Sequence, residues 1–75
     1  MTIKISAYDR DGLLRDVATV VAGENVSMSS VHVTTNKNLA TFIATLEIAG
    51  TAQLSKLMDR IERLPNVIEV KRQLN

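Results

Sequence analysis

The chain opens on a strict alternation, T-I-K-I-S-A-Y. Ile3, Ile5 and Ala7 fall on one side and Lys4, Ser6 and Tyr8 on the other, the period-2 pattern of a half-buried strand. Asp9-Arg10-Asp11-Gly12 interrupts it, and the period then becomes helical. Leu13, Leu14, Val17, Val20 and Val21 make one apolar stripe up to about Ala22. Asp11 is the expected N-cap of a helix starting at Gly12, since a carboxylate there accepts from free N–H groups and complements the dipole. Gly23 is the expected stop. A second strand, roughly 26–34, is irregular: Val26 and Met28 share one parity, Val31 and Val33 the other. The change across Ser29-Ser30 predicts a bulge or a switch of exposed face.

Asn36-Lys37-Asn38 predicts a turn. The stretch 39–48 then alternates cleanly, with Phe42, Ala44, Leu46 and Ile48 inward and Thr41, Ile43, Thr45 and Glu47 outward. Gly50-Thr51 opens a second helix with Thr51 as its expected N-cap. Leu54, Leu57, Met58 and Ile61 form the buried face, and Asp59 and Arg63 have the supportive i,i+4 spacing. Pro65 ends this helix by forcing the preceding residue out of the α region, and N-V-I-E-V-K-R is a fourth strand. The order βαββαβ predicts an α+β, ferredoxin-like sandwich: an antiparallel sheet of strand order 4-1-3-2 with both helices on one face. No linker, repeat or low-complexity stretch divides residues 1–75, which read as a single domain.

Composition narrows the functions open to such a domain. Nine basic and eight acidic residues leave a net charge of +1, which provides no general drive toward nucleic acid or anionic membranes. There is no cysteine, so a disulfide framework, a thiolate metal site and a cysteine nucleophile are excluded. That fits a reducing, cytoplasmic setting. No apolar run approaches the roughly 18 residues of a membrane span, and no signal-peptide pattern follows Met1. A strand that begins at the second residue reads as a domain cut from a longer protein.

Ferredoxin-like folds host unrelated functions, so function must be argued from residues. An RNA recognition motif stacks bases on sheet aromatics. Here Phe42 has core parity, the outward residues Thr41, Ile43 and Thr45 cannot stack, and Tyr8 lies at a strand end. His32 is the only histidine and cannot assemble a metal site alone. Asp9 and Asp11 would repel a phosphate at the first loop, and nothing around them separates their acidities for acid–base work. These observations predict no catalytic residue, no metal and no cofactor.

Two readings of the first loop stand at this point. In one it is a turn and cap, with Asp9 and Arg10 solvated, because Asp and Gly are the ordinary residues of such junctions. In the other it is one wall of a ligand site. Free N–H groups at a helix start suit a carboxylate, Gly12 allows close approach to the backbone, and an acid nearby suits an ammonium. Together these features fit a zwitterionic amino acid.

The run from Ile3 to Arg72 resembles an ACT domain, the ligand-sensing module of amino-acid metabolism. The features that carry the resemblance are D-R-x-G-L-L (Asp9 to Leu14), the helix continuing as R-D-V-A-T-V-V-A, the E-N-V lead-in to strand two (Glu24 to Val26), and L-P-N-V-I-E-V-K-R (Leu64 to Arg72). The D-R-x-G-L-L-R-D loop and the R-I-x-x-L-P-N-V-I-E-V-K-R tail resemble more narrowly the C-terminal ACT domain of the RelA/SpoT family, bacterial GTP pyrophosphokinases and guanosine tetra- and pentaphosphate hydrolases of the stringent response.

The resemblance implies a non-catalytic regulatory domain at the C-terminal end of a longer enzyme, with the catalytic domains upstream. It also implies pairing of two copies edge to edge. The ligand would then lie between the first loop of one copy (Asp9, Arg10, Asp11, Gly12, Leu13, Leu14) and the start of strand two of the other (Asn25, Val26, Met28). The residues themselves offer some support for a homodimer. Ala18, Val21 and Ala22 widen the apolar stripe of helix one, and strand two would be an exposed edge. Alternatives are a docking module contacting ribosomal RNA or protein through Lys4, Ser6, Tyr8, Lys71 and Arg72, and a free-standing amino-acid-binding ACT protein.

Overall fold

The computed structural model describes residues 1–73. Its elements are β1 (Thr2–Tyr8), α1 (Leu13–Gly23), β2 (Ser27–Asn36), β3 (Leu39–Glu47), α2 (Thr51–Glu62) and β4 (Val67–Gln73). The four strands form one antiparallel sheet in the order β2-β3-β1-β4, the predicted topology. Ile3, Ile5 and Ala7 of β1 are completely buried. They lie opposite Ala44, Phe42 and Ala40 of β3. Leu13, Val17, Val20 and Val21 of α1, and Leu54, Leu57 and Ile61 of α2, close over this face. Among the described residues no helix covers the opposite face, which carries Lys4, Ser6 and Tyr8.

The parity switch in β2 is a bulge. Met28 pairs with Leu46 and Ser30 with Thr45, so Ser29 is the extra residue. Val31 and Val33 thereby come opposite Ala44 and Phe42, on the helix side of the edge. Lys37 and Asn38 form the two-residue β2–β3 connection with φ of 51° and 68°, the left-handed pair that a type I′ hairpin requires. A second bulge, at Ser6/Ala7 against β4, leaves Ile68 unpaired. Ile48 lies just beyond β3, half-buried against the core.

The helix ends differ from expectation, each for a local reason. Gly12, not Asp11, is the N-cap of α1, at φ 80° and ψ 1° with no side-chain capping bond. This left-handed residue displaces Asp11 to one position outside the cap. Gly23 is the last helical residue, and Asn25 takes the left-handed position instead, at φ 58°. The Asn25 N–H donates to the Ala22 carbonyl at 3.0 Å and the Val26 N–H to the Val21 carbonyl at 3.2 Å, the two bonds of a Schellman motif. Buried Val26 and Val21 supply its apolar contact. Gly50, not Thr51, caps α2, again without a side-chain bond. Gln53 compensates: its Oε1 accepts from the Ala49 N–H at 2.8 Å, and its Nε2 donates to the Glu24 carbonyl at 3.2 Å.

Leu57 is wholly buried beneath α2. Leu57→Ala is expected to cost about 3 kcal/mol, a large share of the roughly 5 kcal/mol available to a domain of this size. Urea unfolding checks this as a lower midpoint with an unchanged slope.

Candidate functional site

The first loop is held by other loops. The Tyr8 N–H donates to the Asn66 carbonyl and the Asp9 N–H to the Asn38 carbonyl, each at 2.8 Å. The hairpin and the α2–β4 connection thus both grip the strand end. Asn66, like Lys37 and Asn38, has a positive φ (75°), so four left-handed residues, with Gly12, gather at this end of the sheet.

Arg10 is not solvated. Its Nη2 lies 2.8 Å from Asp16 Oδ2 in the first turn of α1, and its Nε donates to the Pro65 carbonyl at 3.4 Å. Its side chain is only 25% exposed. The guanidinium therefore spans the first loop, α1 and the α2–β4 connection, and acts as a brace. Asp9 and Asp11 are exposed, Gly12 is half-buried, Leu13 belongs to the core, and Leu14 is exposed on the flank of α1.

Asn25, Val26 and Met28 lie at the other end. Ser27 pairs with Glu47, whereas Tyr8 pairs with Leu39. The two groups are separated by α1, whose 11 residues span about 16 Å. Each wall is assembled within the chain, but one chain does not bring the two walls together. The Asn25 backbone completes the Schellman motif and its side chain is exposed; Val26 is buried; Met28 is half-buried against the core.

One cluster was not foreseen. Glu24 at the end of α1 is 10% exposed at its side chain. It meets Arg60 of α2 at 2.8 Å and Lys56 at 3.9 Å. The signal was present in the sequence: an acid at a helix C-terminus opposes the dipole and needs cations from elsewhere. Which cations answered depended on how α2 lies beside α1. The Asp59–Arg63 pair forms as spaced, at 3.0 Å. On the open sheet face Lys4, Ser6, Tyr8 and Lys71 share one side, but Arg72 is opposite Ile3 and so alternates to the helix side. Arg72 therefore meets the open face only at its β4 margin. Among the described residues no group of three or more His, Asp or Glu gathers to hold a metal, and no helix is long and apolar enough to cross a membrane.

The order β2-β3-β1-β4 beneath two helices defines a small α+β module of ferredoxin-like type, in which Arg10 with Asp16 and Glu24 with Arg60 brace the two ends of α1. The family model for the ACT domain matches residues 1–72, and the chain belongs to that family. It is 43% identical over 74 residues to the GTP pyrophosphokinase of Haemophilus influenzae and 34% identical to that of Escherichia coli K12, matching 96% of this chain in each case. The chain spans about 10% of the length of those relatives. Its fold matches the crystal structure of the ACT domain from GTP pyrophosphokinase of Chlorobium tepidum with a TM-score of 0.85 at 19% identity, covering 96% of this chain and 94% of that one. The acetolactate synthase small subunit of Thermotoga maritima matches at 0.80 and 16%, over 95% and 45%.

Gly12→Ala places a Cβ 3.2 Å from the flexible tip of Arg15 and forces a left-handed φ on a residue that resists it. The expected cost is about 1–2 kcal/mol, from the backbone more than from the contact. Arg10→Ala is expected to cost about 1 kcal/mol. A double-mutant cycle with Asp16→Asn should recover most of that as coupling.

Proposed function

We propose that this chain is a non-catalytic regulatory ACT domain of a RelA/SpoT-type GTP pyrophosphokinase. It works as a homodimer that senses an amino acid between two copies. The observation that carries this reading is the separation of the two candidate walls. Strand β2 is a sheet edge that runs from the Asn25 end to the first-loop end. Antiparallel apposition of two β2 edges would set Asn25 to Met28 of one copy beside Asp9 to Leu14 of the other.

The surface around β2 supports such pairing. No residue of β2 is buried, and Val33 is 41% exposed on its helix side. On α1, Asp16 and Gly23 mark the flank toward α2: Asp16 holds Arg10 against Pro65, and Arg60 lies 3.6 Å from a Cβ built on Gly23. Leu14 and Ala18 lie roughly half a turn away on the helical wheel, over the open β2 edge. Leu14, Ala18, Val31 and Val33 thus form an apolar margin continuous with an unpaired strand, the combination that favours edge pairing. In the assembled site, N–H groups at the start of α1 would take the ligand carboxylate and Asp9 or Asp11 its ammonium. Arg10 would keep the loop in shape.

Isothermal titration against the twenty amino acids, paired with sedimentation, tests the reading. A dimer that binds at least one amino acid below millimolar concentration is expected. Val33→Glu should yield a folded monomer that has lost the amino acid. A chain that stays monomeric and binds none at millimolar concentration would instead be a protein- or RNA-docking module.

A further inference from the structure

The uncovered face of the sheet contains a shallow depression of about 560 Å³, within the size range of small-ligand sites. Lys4, Thr34, Thr41, Ile43 and Lys71 line it, with Gln73 and Arg72 at its β4 margin. Lys4 is paired with Ile43 on one side and Lys71 on the other, while Thr34 is paired with Thr41 in the next row. The depression is therefore built from three neighbouring strands and the β2 edge, away from both walls of the amino-acid site.

Its electrostatics are unusual for this chain. Lys4 and Lys71 are directly opposite, and like charges at that spacing oppose strand pairing. Lys71 has an exposed partner in Glu69 at 3.6 Å. Lys4 has no acidic partner among the described residues. Two lysines thus stand side by side on one face next to a half-buried Ile43, with Thr34 and Thr41 in the adjoining row and His32 at the end of the same row.

We propose that this depression binds a small phosphomonoester. The terminal oxygens of a phosphate can accept from both ammonium groups and a threonine hydroxyl together, and its dianion relieves the Lys4–Lys71 repulsion. Ile43 offers an apolar floor to the organic part of the ligand. No aromatic side chain lies in the depression to stack a base, and Tyr8 sits two rows away at the end of the face, so the site fits one phosphate better than a polynucleotide. Glu69 is the competing group. Its surface pair with Lys71 is weak enough to exchange for a dianion.

The test is amide NMR of the 75-residue chain titrated with inorganic phosphate and with phenyl phosphate, against chloride at equal ionic strength. Saturable shifts at Lys4, Thr41, Ile43 and Lys71 are expected, with phenyl phosphate the tighter. Lys4→Ala should weaken binding about fivefold, and Lys4→Arg should retain it. Glu69→Gln, which removes the competitor, should strengthen it. Shifts that match those of chloride, or that survive Lys4→Ala together with Lys71→Ala unchanged, would overturn the proposal. So would saturation by a short RNA where neither phosphate probe saturates. None of these outcomes depends on the amino-acid site, which lies at the ends of the sheet.

Discussion

The apolar row of β1 is the constraint on which the rest of the molecule depends. β1 has a hydrogen-bonded neighbour on each side and is covered by helices on one face. Ile3, Ile5 and Ala7 have no other place to go, since a one-residue slip would turn all three to solvent and bring Lys4 and Ser6 inward. The register of β3 and β4 follows from that row. A chain this short can fill only one side of its sheet. The other face stays open, and the β2 edge is covered less than the centre. The apolar margin of β2 and α1 and the lysine-bearing depression both follow from this one-sided core.

The first loop owes its shape to neighbours remote in sequence. Carbonyls of Asn38 and Asn66 take its leading N–H groups, and Arg10 ties it to Asp16 and Pro65. The left-handed residues at this end let three connections turn sharply enough to meet. At the other end, Glu24 and Gln53 lock the two helices together beside the Schellman motif of Asn25. Each end of α1 is therefore tied down by a different means.

How much was legible varied with the range of the interaction. Periodicity predicted all six elements, and the Ser29-Ser30 parity change predicted the β2 bulge. The N-caps differ from the sequence reading at Asp11 and Thr51 in the same way, by one residue each. A cap acts only when its own backbone aims the side chain at the free N–H groups. At Gly12 a left-handed backbone took that position, and at Gly50 an extended one did. Arg10 reads as solvated in sequence because its partners, Asp16 and Pro65, are brought to it only by folding. Arg72 reads as an open-face residue in sequence, but β4 alternates across the sheet and places it opposite Ile3, so it reaches that face only at the β4 margin.

The order of elements, the inward rows of β1 and β3, and the membership of the ACT family are all determined by local pattern, because side-chain period and turn chemistry act within a few residues. The pairing of Glu24 with Arg60, the bracing of Arg10, and the placing of Lys4 beside Lys71 were decided by the tertiary structure. So was the separation of Asp9–Leu14 from Asn25–Met28. Each depends on which distant strand or helix becomes a neighbour, and that is set by closing one core around β1.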